Sequence, residues 1–231
     1  MPKKYELTTD TKIHFGRKLF RIKALVDFGN VKAGDLGGYV EKEENLSHDG
    51  NAWVYENAVV CGNAEVYGDA EVSGDAKVCG DAKVYGDAWV CGNAKVRENA
   101  WVYGNAKVCG NAEVHGDAEV YENAKVYGDA WVCGNAKVYG DAKVCGNAKV
   151  CGNAKVHGNA DYLCFKGLGS CNRNTTFYKT KDDGVSVVCG CFNGTLDEFT
   201  TKVKKTHGDS KYAREYLAAV EVVKIHFDME A

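Results

Sequence analysis

Five tyrosines, Tyr67, Tyr85, Tyr103, Tyr121 and Tyr139, stand eighteen residues apart, and the series ends on His157 at the same interval. Where residues eighteen apart overlie one another, these side chains and the neighbouring Trp101 form a flat aromatic strip. Tyrosine offers large contact area at small entropic cost, so the strip has the chemistry of a surface that holds a partner. A structural reading stands beside it, in which stacked phenols stabilise a ladder and bind nothing.

Cysteine and histidine carry the other reactive groups. Cys61 and Cys79, Cys91 and Cys109, and Cys133 and Cys151 recur at the same eighteen-residue interval, so spacing permits three bridges. Without a signal peptide, reduced thiols are the expectation, with cysteine serving as a compact outward strand residue. Cys189-Gly190-Cys191, with Cys164, Cys171 and His207, is a poor match to a structural zinc site, whose paired cysteines stand two to four residues apart. Buried thiols in a small core are expected there, and no metal or cofactor is assigned. His115 and His157 are the only histidines in the repeating stretch and read as solvated surface residues. No residue is assigned a catalytic role.

A six-residue unit, Gly-(Asn/Asp)-Ala-X-Val-X, must position these side chains. It runs from Asn51 to about Ala160 without insertion or deletion, with valine at all 18 positions from Val54 to Val156 and alanine two residues before each. Alternation puts Ala64 and Val66 on the dry side of a short strand and Glu65 and Tyr67 on the wet side. The Gly-Asn or Gly-Asp pair that follows tolerates positive φ and makes a tight corner. Three corners per eighteen-residue coil give a triangular prism of six coils, about 29 Å long. One face carries the tyrosines with Glu65, Lys83, Trp101, Glu119, Lys137 and Lys155, so that Glu65 meets Lys83 and Glu119 meets Lys137. The second carries Trp53, Tyr55, Trp89 and Tyr127 beside Lys107, Lys125 and Lys143 in line. The third mixes Lys77, Lys95, Arg97, His115 and Trp131 with the cysteine pairs at 61/79 and 133/151.

The Ala-X-Val-X-Gly-(Asn/Asp) unit resembles the hexapeptide repeat of left-handed parallel β-helices. The left hand is implied by the resemblance alone, since parallel crossovers in general favour the right hand. Val26 to Val40, with Asn45-Leu46-Ser47, is similar to the lead-in of the YdcK-like group of bacterial and phage hexapeptide-repeat proteins, and the likeness spans about residues 20 to 160. It implies a bacterial or phage cytoplasmic protein and transfers no activity. Many hexapeptide-repeat proteins are acyltransferases, which build their site between subunits of a trimer around a histidine base, often beside a loop that leaves a coil. No loop interrupts the coils from Ala52 to Ala160, so acyl transfer is a minor alternative. A homo-oligomer, by resemblance a trimer, is expected.

Around the prism the chain divides into a lead-in over 1–50, the β-helix over 51–160 and an α+β unit over 161–231. Lys12-Ile13-His14-Phe15 and Leu19 to Leu25 read as a hairpin turning at Gly16-Arg17, a cap for the open solenoid end. Tyr162–Phe165, Thr176–Thr180 and Val185–Cys189 read as three strands, the last two joined by a turn at Asp182-Asp183-Gly184, with Asn172 to Thr175 as a loop. Thr195-Leu196-Asp197-Glu198 fits a capping box that opens one helix ending near Gly208, and a second runs from about Ser210 to Phe227. Whether this unit caps the prism or binds a partner is open. A formal net charge of −3 argues against general nucleic-acid binding, and no apolar run approaches a membrane span. The expected function is a non-enzymatic rigid scaffold or binding protein. A phage-encoded antagonist of a host defence protein or signalling molecule is the alternative that the phage association implies.

Overall fold

The computed structural model describes residues 3–180 and 184–229. Each six-residue unit contributes a two-residue rung, from β4 (Trp53–Val54), β5 (Val59–Val60) and β6 (Glu65–Val66) at every sixth residue to β21 (Lys155–Val156). Rungs three units apart pair in parallel and in register, Glu65 with Lys83, Trp101 with Glu119 and Lys107 with Lys125. Backbone bonds run from coil to coil: the Glu65 N–H donates to Ala82 O at 3.0 Å and the Tyr67 N–H to Val84 O at 3.1 Å. The result is a three-sided parallel β-solenoid whose alanine and valine columns are shut off from solvent.

Stacking begins before the repeat does. β3 (Leu36–Val40) sets Val40 against Val60, and Leu46 bridges in parallel to Val66. The lead-in thus supplies two sides of a further coil, and the solenoid has about seven turns where the repeat alone gives six. These residues precede their partners by twenty positions instead of eighteen, because the corner between Leu46 and Val54 is two residues longer than the others. Gly38 takes the alanine place before Val40, where a Cβ would meet Ala58 O at 2.6 Å.

β1 (Tyr5–His14) and β2 (Arg17–Ala24) form a hairpin, and β2 lies antiparallel to β3, extending one sheet to nine strands. The loop is Phe15-Gly16, at φ 47° and 76°, one residue earlier than the expected Gly16-Arg17. The closing pair His14↔Arg17 requires two left-handed residues between them, and that loop follows the natural strand twist. Trp53, assigned to an outer face by alternation, is only 1% exposed. Its ring is covered by Phe28 at 5.3 Å and Tyr5 at 6.1 Å, which with Ile22 and Val31 close the first coil. Lys4 secures this end by donating to Ala52 O at 2.9 Å and Gly50 O at 3.2 Å.

After the last coil come β22 (Tyr162–Leu168), β23 (Arg173–Lys179), β24 (Val185–Cys189) and β25 (Phe192–Thr195), an antiparallel sheet of four strands instead of three. β25, Phe-Asn-Gly-Thr, has too little apolar content to read as a strand. Asn174 lies inside β23 and not in a loop, because Thr175 pairs with Cys189 there. The turn expected at Asp182-Asp183-Gly184 falls largely on residues 181–183, outside the described ones. α1 (Leu196–His207) opens on the expected capping box: the Glu198 N–H donates to Thr195 Oγ1 at 3.2 Å and the Thr195 N–H to the Glu198 carboxylate at 2.8 Å. α2 (Lys211–His226) follows with Ser210 as its cap.

The period of two in β23 and β24 gives the sheet two jobs. Phe177 and Val187 face the helices, in a core with Phe199, Tyr216 and Val220. Tyr178 and Val188 point the other way and join the solenoid core. Ala154 bridges to Thr180, and the Lys149 N–H donates to Thr176 Oγ1 at 3.1 Å. The question left open by the sequence is answered in part: the C-terminal sheet caps the far end. Among the described residues no helix is long and apolar enough to cross a membrane.

Candidate functional site

The eighteen-residue register superposes the five tyrosines. Successive ring centroids lie 4.8, 4.9, 4.9 and 5.1 Å apart with interplanar angles of 3°, 2°, 3° and 7°. That spacing is the separation of the strands beneath. His157 continues the column but turns its ring 64° to Tyr139 at 5.0 Å. Trp101 stands edge-on to Tyr85 at 6.3 Å and is 40% exposed, so it rises as a ridge beside the half-buried phenols.

Charge is ordered along the same face. Lys83 pairs with Glu65 at 3.3 Å and Lys137 with Glu119 at 2.7 Å, as their register predicts. Glu119 also accepts from the Tyr103 hydroxyl at 3.0 Å. Burial, then the Glu119 carboxylate, pushes the Tyr103 phenol well above its ordinary range, and burial raises Tyr67, Tyr85 and Tyr121 in the same direction. The strip presents hydroxyls and ring edges over about 20 Å. At its N-terminal end an open groove of about 590 Å³ is lined by Glu43, Glu44, His48, Glu65 and Tyr67.

The remaining reactive residues are placed as follows. His115 is half-buried instead of solvated: its ring stands edge-on to Trp131 at 5.8 Å and its Nδ1 is 3.7 Å from Glu98. Glu98 occupies a glycine corner at φ 62°, and its carboxylate accepts the Gly116 N–H of the next coil at 2.7 Å. Glu56 and Glu122 do the same for Gly74 and Gly140, at 2.7 and 2.8 Å. A charge-assisted bond between coils thus offsets the strained backbone at each of these corners.

The cysteines correct the expectation of reduced thiols. Cys91 is bridged to Cys109 and Cys133 to Cys151, with Cα separations of 4.7 and 4.6 Å, because parallel register places outward Cβ atoms over one another. Cys61 and Cys79 are stacked but unbridged. In the C-terminal unit only Cys189 is a buried thiol, accepting from Thr175 Oγ1 at 3.2 Å; Cys164, Cys171 and Cys191 are exposed. Among the described residues no three His, Cys, Asp or Glu side chains converge as metal ligands would.

A second concave site was not legible in the sequence. The hairpin folds back on the third face, seating Leu19 on Val59 and Cys61, and leaves a cleft of about 360 Å³ between its tip and the Lys77 and Lys95 rungs. The signal available was the cluster of cations Lys77, Lys95 and Arg97, of which Lys77 alone lacks a carboxylate partner among the described residues; the fold-back was not written in any local pattern. No family model matches this chain, and no curated protein is similar to it.

Proposed function

We propose that this protein is a non-enzymatic binding scaffold of the hexapeptide-repeat, left-handed kind, similar to the YdcK-like group, and that its tyrosine face holds a protein partner. The observation that supports this is the in-register stack of Tyr67, Tyr85, Tyr103, Tyr121 and Tyr139 with Trp101 raised beside it. Such a face is preorganised: its rings are fixed by the ladder before a partner arrives, so little conformational entropy remains to be lost on docking. Tyrosine rings beside a tryptophan match the composition of binding hot spots, and Lys137 and Glu119 border them as a polar rim would. His157, exposed at the end of the column, extends it toward the C-terminal unit.

Acyl transfer has weaker support. His115 packs on Trp131 and leans toward Glu98, and the rungs follow one another at six-residue intervals with no excursion to shape a pocket. The antagonist reading is a special case of the scaffold, in which what it holds is a host defence protein or a signalling molecule. A decisive experiment compares capture from bacterial lysate by the wild-type chain and by the Tyr85→Ser, Tyr103→Ser, Tyr121→Ser triple variant. The variant is expected to keep its β-rich circular dichroism and lose the captured protein. Undiminished capture by a folded variant would reduce the strip to a structural ladder. Sedimentation of the wild type alone separates self-association, a trimer by resemblance, from a foreign partner.

A further inference from the structure

The cleft under the hairpin gathers cations over a floor of Cys61 and Cys79. Its lining includes His14, Phe15, Arg17, Lys77, Lys95 and Arg97 and no carboxylate. Arg17 is tied to Glu41 at 2.9 Å, and Lys95 and Arg97 share Glu113. Lys77 has no carboxylate partner among the described residues, yet it lies close enough to His14, Lys12 and Cys79 to act on the charge of each. Lys12 itself is engaged with Asn57 O at 2.9 Å and the Tyr39 ring at 3.9 Å, and Asp75 is the acid nearest to it in effect. His14 Nε2 is shut off from solvent without a hydrogen-bond partner. His48 and His115 share this condition, so the ring nitrogen alone marks no site; what sets this cleft apart is Lys77, an ammonium without an ion pair in a concave lining that holds no carboxylate.

The hairpin tip adds an apolar wall. Phe15 is 89% exposed, an apolar ring that no other side chain among the described residues covers. The left-handed Phe15-Gly16 loop presents the ring at the rim of the cleft. A cavity of about 360 Å³ falls in the size range of small-molecule sites. An uncommitted cation and an exposed ring together describe one ligand chemistry.

We propose that this cleft binds a phosphate ester of mononucleotide size, its phosphate drawn to Lys77 with His14, Arg17 and Arg97 around it, and its flat ring laid against Phe15. The site is independent of the tyrosine face, which lies on another side of the prism. Lys77 supplies the uncommitted charge, and Arg17 and Arg97 are already oriented by their carboxylates.

The test is isothermal titration of the full chain, without reductant and at physiological salt, with adenosine monophosphate and separately with inorganic phosphate. Saturable one-to-one binding of the nucleotide is expected, with Lys77→Gln weakening it at least about tenfold, the loss of one charge-assisted contact. Lys77→Gln breaks no ion pair, so its thermal midpoint should match the wild type and exclude misfolding. Lys125→Gln, on another face, should leave binding intact; equal loss there would mean diffuse electrostatics and overturn the site. Phe15→Ala should weaken the nucleotide and leave inorganic phosphate unchanged. Inorganic phosphate binding as tightly as the nucleotide, with Phe15→Ala silent, would refute the ring contact. No saturable heat with either probe at millimolar concentration would refute the proposal.

Discussion

Glycine at the corners serves two purposes that a pair of substitutions separates. Gly128 and Gly146 occupy the same column one coil apart, at φ 74° and 64°, so alanine meets the same backbone penalty at both, about 1 kcal/mol. Their surroundings differ. A Cβ on Gly128 would lie 3.0 Å from Gly146 N and 3.1 Å from its carbonyl oxygen, whereas a Cβ on Gly146 meets nothing within 4 Å. Since the obstacle is backbone held in the coil-to-coil ladder, relief requires the coils to part, at an overpacking cost of about 1–3 kcal/mol. Gly128→Ala should therefore lose about 2–4 kcal/mol and Gly146→Ala about 1. Thermal unfolding followed by circular dichroism at 218 nm (a wavelength of about that value reports strand content) reads the difference, at roughly 2–4 °C per kcal/mol for a chain of this length. Gly134 and Gly152 repeat the comparison in another column, with a Gly152 N contact at 3.0 Å in the first case and none in the second. Equal losses at all four positions would show that glycine is needed for its φ alone and that the coils do not touch as described.

Other outcomes follow from burial and chemistry. Val102 is fully buried in the narrow core, and Val102→Ala should cost about 2 kcal/mol, read as faster amide exchange in the coils on either side more than at the ends of the prism. Alkylation of the unfolded, unreduced chain should modify seven of its eleven cysteines, sparing Cys91, Cys109, Cys133 and Cys151; modification of all eleven would remove both bridges. Lys4 is lowered to about 8 by burial, so the folded state binds its proton less tightly than the unfolded chain does. That penalty is complete below pH 8 and is relieved as pH rises from about 8 toward 10.5, so the wild type should gain stability relative to Lys4→Met across that window. The raised phenols of the strip act in the opposite sense near pH 10 and above, which is why the comparison must be a difference between the two proteins.

The solenoid was legible because its determinants are local and repeated: one valine, one alanine and one corner per six residues leave a single consistent way to stack. The tyrosine column and the pairs Glu65–Lys83 and Glu119–Lys137 follow from that register. Legibility fails where the chain leaves the period. Val40 and Leu46 stack two residues out of phase, so counting sixes misses their coil. Trp53 obeys alternation and points outward, but Phe28 and Tyr5, distant in sequence, cover it. The hairpin loop turned on one residue, Phe15, taking a left-handed conformation that glycine alone would ordinarily signal. The bridges at Cys91–Cys109 and Cys133–Cys151 were within reach of the spacing, which permits them but does not choose them over the stacked, unbridged state of Cys61 and Cys79.

These failures bear on where binding can reside. A ladder that repeats every 4.8 Å or so offers the same contact at each coil, so a periodic face discriminates partners by length and flatness more than by position. The tyrosine column suits an extended protein surface for that reason, and Trp101 marks one coil of it. A small ligand needs what repetition cannot give, a concave site with unlike walls. The hairpin supplies one by folding an aperiodic segment over the Lys77 and Lys95 rungs, setting Phe15 and His14 opposite cations that the solenoid provides. The lead-in thus does more than close the first coil: it turns one side of a uniform prism into a place unlike any other on its surface.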